Sequence, residues 1–236
     1  MHPVRRRERL LMRILAVETS GPRGGIALAD SERLLDERRL DEGLRHGRDL
    51  LLTIRDACAA VGWTPRDIEL LAVSIGPGSF TGLRIAVVFA KFTAWHTGAP
   101  IVAVPTLRAL AENAPPDASR VVPILDAKRG GLFASIFERR SGRLDEILGP
   151  TLLEPEDLAG RFQPPAFILG RGIPKGRSAL GGFDLAPEDL WDVRPSVVAR
   201  LGRQMHARGE FADPLRLEPV YIRPPEAEEV WQRRHP

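Results

Sequence analysis

Leu70-Leu71-Ala72-Val73-Ser74-Ile75-Gly76-Pro77-Gly78-Ser79-Phe80-Thr81-Gly82-Leu83-Arg84 runs from an apolar segment through a glycine-rich loop into a helical pattern. The apolar segment is too short for a helix and reads as a strand buried on both faces. Gly76, Pro77, Gly78 and Gly82 mark a tight turn. Ser79 or Thr81 is placed to cap the helix that follows, and the free amides at its start suit an anion. No Gly-Lys-Ser/Thr follows, so this is not a Walker A loop. The spacing also breaks the Gly-x-Ser-x-Gly nucleophile elbow. Two readings stay open here: a plain strand-to-helix turn, or a loop that meets a partner or a phosphate.

Upstream, Leu44, Leu50, Leu51, Ile54, Ala57, Cys58 and Val61 recur at helical spacing over about residues 43–61, and Gly62 ends the pattern. Before them, residues 14–17, 26–29 and 34–40 read as three strands joined by tight turns, an antiparallel meander. Downstream, a second helix covers Leu83 to Thr97 and stops at Gly98. Residues 101–104 are a strand, and Thr106 is expected to cap a short helix through Ala111. Three meandering strands followed by helix, strand, helix, strand, helix are shared by actin-like (ASKHA) and ribonuclease-H-like α/β folds.

Asn113 to Ala118 reads as a linker. Beyond it, strands are expected at 121–125, 132–137, 144–148 and 167–169, a short helix from Pro155, and a helix from Ser196 to Met205. This is an abbreviated copy of the first half. The expected organisation is an arm at 1–11, an N-terminal subdomain at 12–112 and a smaller subdomain at 113–236 with an extended tail.

The chain has 236 residues and a net charge of +3, with a pI near 9.6. The pI suggests nucleic acid, but the distribution of charge does not. Arg5, Arg6, Arg7 and Arg9 against Glu8 account for the whole excess, and the body from Met12 is neutral. The arm is expected to be disordered or to precede the true start at Met12, with an electrostatic hook for RNA as the alternative. No signal peptide and no apolar stretch long enough to span a bilayer is present. Cys58 is the sole cysteine, which fits a reducing compartment, and a cytoplasmic location is expected.

Catalytic chemistry is not apparent. His2, His46, His96, His206 and His235 include no helical metal pair, and no nucleophile stands beside a base. Glu18-Thr19-Ser20 ends the first strand where actin-like ATPases place a phosphate loop, though an acid capping a turn explains it equally. Asp126-Ala127-Lys128-Arg129-Gly130-Gly131 is either an interdomain contact or a polar hairpin. The second helix is apolar nearly all round. It is therefore either sandwiched between the two halves of the chain or, with the first helix, presented to another subunit.

Met12-Arg13-Ile14-Leu15-Ala16-Val17-Glu18-Thr19, the string Ser74 to Arg84, Leu125-Asp126-Ala127-Lys128-Arg129-Gly130 and Pro219-Val220-Tyr221-Ile222-Arg223 occur in that order. Together they resemble the TsaB family, partner subunits of the bacterial machinery that makes threonylcarbamoyladenosine in tRNA. The resemblance covers about residues 12–224. It implies a two-subdomain ASKHA fold and a non-catalytic subunit without the metal-binding histidines of its catalytic relative TsaD. It further implies a heterodimer with TsaD through helices of the N-terminal lobe, an ATPase subunit TsaE, and tRNA met only indirectly. The partner-facing residues so assigned are Leu50, Leu51, Ile54, Gly76, Pro77, Gly78, Ser79, Phe80, Thr81, Gly82, Arg84 and Phe89. Glu18 stands where the family often has Asp, so ATP or ADP is expected only at a shared interface. Catalytic, cofactor and metal residues are expected to be none. The alternatives are an ASKHA-type small-molecule kinase using Glu18-Thr19, an inactive glycoprotease-like protein, and a homodimer in isolation.

Overall fold

The computed structural model describes residues 12–40, 46–223 and Trp231. The arm at 1–11, Leu44, and the tail beyond Arg223 other than Trp231 lie outside the described residues. The chain opens with β1 (Arg13–Glu18), β2 (Gly25–Asp30) and β3 (Arg33–Arg39). There follow α1 (His46–Ala60), β4 (Leu70–Ser74), α2 (Phe80–Thr97), β5 (Ile101–Val104) and α3 (Thr106–Ala111). The first sheet has the order β3-β2-β1-β4-β5. Its first three strands are antiparallel, while β4 and β5 run parallel to β1.

The second half repeats this plan. It comprises β6 (Arg120–Asp126), β7 (Leu132–Arg140), β8 (Arg143–Leu153), α4 (Leu158–Arg161), β9 (Phe167–Leu169), α5 (Ile173–Gly176), β10 (Asp184–Leu185) and α6 (Pro195–Ala207). The order β10-β9-β6-β7-β8 maps strand for strand onto the first sheet, with β6 in the place of β1. Again the first two pairings are antiparallel and the next two parallel. This is the actin-like two-sheet α/β architecture. Among the described residues no helix is long and apolar enough to cross a membrane.

Alternation along β1 divides the core. Leu15 and Val17 point to the face covered by α1 and α2, against Leu50, Ile54, Ala57, Ala86 and Ala90. Ile14 and Ala16 point to the opposite face, toward α3, α6 and the second sheet. This settles the position of α2. It is not sandwiched between the two halves of the chain, because α1 and α2 share the outer face of the first sheet. The elements between the halves are α3, which packs on β6 and β7, and α6, which lies across β1, β2, β4 and β5. Gly202 makes that approach close, since a Cβ there would lie 2.4 Å from Ala72 Cβ. α6 follows the linker in sequence but covers the first sheet.

Smaller differences have local causes. Thr106 does not cap α3; it is that helix's first residue, and Pro105 precedes it. Strand β8 runs on to Leu153, and α5 and β10 were not expected at all. Elements of two to four residues, such as α5 and β10, have too short a pattern to read.

Candidate functional site

The loop after β4 is held by backbone and by two threonine hydroxyls. Thr106 Oγ1 accepts from Gly76 N at 3.0 Å, and Thr106 N donates to Gly76 O at 2.9 Å. Ser79 N donates to Ser20 O at 2.7 Å. Thr19 Oγ1 donates to Gly82 O at 2.7 Å, out of contact with solvent. Ser79 caps α2 by accepting from Gly82 N at 3.2 Å, so of the two expected candidates Ser79, not Thr81, is the cap. A Cβ on Gly82 would lie 1.9 Å from Thr19 O, and one on Gly78 would lie 2.5 Å from Ser20 O. The loop is therefore pressed onto the end of β1, and glycine is required there by contact with backbone.

That packing covers the segment where a phosphate loop was considered. Glu18, Thr19 and Ser20 are all buried, Glu18 to 1% exposure. Glu18 Oε1 accepts from Ser20 N at 2.6 Å and from the Ser20 hydroxyl. Glu18 Oε2 and Ser74 Oγ are both buried and neither makes a hydrogen bond. Burial pushes the Glu18 carboxyl above its ordinary range, against the opposing pull of the nearby Ser20 and Ser74 hydroxyls, the Ser20 amide and Arg39. A proton on Oε2 would turn it into a donor toward Ser74.

A pH dependence follows. The folded carboxyl holds its proton more tightly than the unfolded one, so its stabilising contribution is complete below the ordinary carboxylate range. It is lost as pH rises through the raised value. Glu18→Gln stays neutral throughout. Its Tm relative to the parent chain is expected to climb from about pH 4 to about pH 8, by about 2–4 °C for each kcal/mol relieved. A difference in Tm that is flat across that range refutes the assignment.

The segment after α6 returns to this loop. Val220 N donates to Ile75 O at 2.7 Å, and Gly76 (φ 120°) would bring a Cβ within 2.6 Å of Val220 O. Arg84 Nε donates to the Tyr221 hydroxyl at 3.0 Å, while the Phe80 and Tyr221 ring centres are 5.0 Å apart. The Arg84 guanidinium lies 3.9 Å from the Phe80 ring centre. Two residues on, Arg223 Nη1 donates to the carbonyls of Ala127 and Lys128, each at 3.2 Å. The turn after Asp126 is thus an interlobe contact and not a free polar hairpin, one of its ties being the tail. Within it, Asp126 Oδ1 accepts from Lys128 N at 2.7 Å and pairs with Lys175.

On the outer face, α1 and α2 expose a row of large apolar side chains. Leu51 is 60% exposed, Leu52 46%, Val88 65%, Phe92 66% and Trp95 81%. Val88, Phe92 and Trp95 fall on one stripe of α2, and the Phe92 and Trp95 ring centres are 6.2 Å apart. An isolated globular surface rarely carries such a row.

The twelve residues assigned to a partner from sequence divide sharply. Leu51, Ser79, Phe80, Thr81 and Arg84 are exposed, and Gly78 is half-buried. Gly76, Pro77 and Gly82 are buried in the loop. Leu50 and Ile54 are corrected: they are 1% and 3% exposed and belong to the core beneath α1. Phe89 is half-buried against the same core, so Phe89→Glu tests folding and not docking. Sequence reasoning passed over Val88, Phe92 and Trp95 as partner-facing. Their i, i+4, i+7 spacing was visible, but which stripe of an all-apolar helix faces out was not. Among the described residues no group of three or more His, Cys, Asp or Glu is placed to hold a metal.

The family model for TsaD, tRNA N6-adenosine threonylcarbamoyltransferase, matches residues 43–180. The tRNA threonylcarbamoyladenosine biosynthesis protein TsaB of Bacillus subtilis (strain 168) is 30% identical over 229 residues, covering 93% of this chain and 98% of that protein. The chain belongs to the TsaB family. The TsaB of Escherichia coli (strain K12) is 28% identical over 223 residues, covering 90% of this chain and 95% of that one. The solved structure of YeaZ from Pseudomonas aeruginosa superposes with a TM-score of 0.79 at 25% identity, covering 89% of this chain and all of that one. The family has both a TsaB relationship along nearly the whole chain and a shared fold with TsaD over its middle.

Proposed function

We propose that this chain is a non-catalytic subunit in tRNA threonylcarbamoyladenosine synthesis, and that it pairs with the TsaD-type transferase through the outer face of α1 and α2. The observation that carries the reading is the exposed row of Leu51, Leu52, Val88, Phe92 and Trp95. The match to TsaD over residues 43–180 includes both helices, so a TsaD-type chain of the same plan has helices in the same place. Two such faces can meet about a pseudo-twofold axis, as like surfaces do in isologous dimers. A second copy of this chain offers the same geometry, and homodimers in isolation belong to the same reading. The setting is the cytoplasm, with TsaE joining the pair and tRNA met through the partner. Mixing the purified chain with its cognate TsaD-type subunit should give a single heterodimer peak on gel filtration. Two separate peaks at micromolar concentration would sink the proposal.

In the same reading the chain holds no nucleotide of its own, and ATP or ADP belongs only to the shared interface. The burial of Glu18, Thr19 and Ser20 under the glycine loop supports this, because that segment is packed against protein and not open to a phosphate. Calorimetry with ATP and magnesium is the check. Heat of binding to the isolated chain at millimolar ATP would favour the small-molecule kinase instead.

A further inference from the structure

The docking face does not end at the two helices. Lys91, on α2 one turn from both Val88 and Trp95, donates to the carbonyls of Leu215 and Leu217 at 3.3 and 3.2 Å. That holds the segment after α6 along the flank of α2. Leu217 is turned into the core beneath the first sheet, at 7% exposure. Leu215, two residues earlier, is turned outward and is 87% exposed, more than any of the five apolar side chains on the helices. Farther along, Tyr221 closes the same flank near the start of α2 through Phe80 and Arg84. A strap that begins with a hydrogen-bonded turn at residues 213–217 and is pinned at Lys91, Ile75 and Arg84 has little conformational freedom left to lose. An exposed leucine on it is offered at low entropic cost to whatever docks.

We infer that residues 213–221 form a third wall of the docking face for the TsaD-type subunit, with Leu215 as its contact residue. The inference rests on the proposed pairing through α1 and α2. Leu215→Asp tests it, because a side chain so exposed can change without disturbing the core. The full-length chain and its variants are titrated against the TsaD-type subunit by calorimetry. Leu215→Asp should weaken the heterodimer about tenfold or more. Trp95→Ala serves as the companion variant on the shared stripe.

If Trp95→Ala weakens the heterodimer and Leu215→Asp changes it less than about twofold, the third wall is refuted and the helix pairing stands. A parent chain that does not pair at all overturns both the proposed function and this extension of it.

Discussion

Truncating the exposed aromatic pair on α2, Trp95→Ala with Phe92→Ala, is expected to abolish the heterodimer at micromolar concentration while leaving the chain folded. Trp95 and Phe92 are 81% and 66% exposed, so neither anchors the core. Their replacement by the best helix former removes no buried contact and adds no strain. Thermal unfolding should stay within about 0.5 kcal/mol of the parent, the usual range for surface changes. Docking is a different matter. A tryptophan at the centre of an interface commonly costs about 2–4 kcal/mol when truncated, or about 30- to 1000-fold in Kd. Trp95→Ala alone should therefore weaken pairing by at least about 30-fold, and the pair together by more. Measured by titration, an unchanged Kd in the double variant would remove the α2 stripe from the interface. A fallen Tm would mean that the side chains belong to the fold.

Gly82→Ala carries the largest expected loss of stability. The added Cβ would lie 1.9 Å from Thr19 O, far inside van der Waals contact, and the obstacle is backbone at the end of a central strand. Relief requires moving either β1 or the first turn of α2. Both are tied, by the hydrogen bond from Thr19 Oγ1 to Gly82 O and by the cap from Gly82 N to Ser79 Oγ. A loss of about 4 kcal/mol or more is expected, which is a large part of a domain's total stability. In a chain of this size that lowers Tm by about 8–16 °C. Gly160→Ala is the control, because nothing lies within 4 Å of a Cβ there and its backbone is not left-handed. It should be neutral or slightly stabilising through the unfolded chain. Equal urea midpoints for the two variants would refute the close approach of loop and strand.

Much of this architecture is legible before any coordinates. The meander, the helical spacing of residues 50 to 61, the strand from Leu70 and the helix stops at Gly62 and Gly98 are local signals, carried within one or two turns of chain. Ser79 as a cap and the glycines of its loop are local in the same way. The candidate site was legible in outline only. An all-apolar α2 signalled a burdened surface, yet Leu50 and Ile54 looked as suitable for docking as Leu51 because Leu50, Leu51, Leu52 and Ile54 point to more than one side of α1. The first sheet makes the distinction by covering one stripe and leaving the other.

What the sequence determined by itself was the repertoire of elements, their order, the glycine loop and the family to which they belong. What only the tertiary structure decided was which surfaces those elements leave open. α6 crosses back onto the first sheet, α2 turns its aromatic stripe outward, the loop seals Glu18 to Ser20, and the strap from residue 213 lies along α2. Each of these depends on contacts between residues far apart in the chain, such as Gly202 with Ala72, Gly82 with Thr19 and Lys91 with Leu217. Periodicity and turn chemistry are properties of neighbours in sequence. The face a helix buries is a property of what the rest of the chain brings against it.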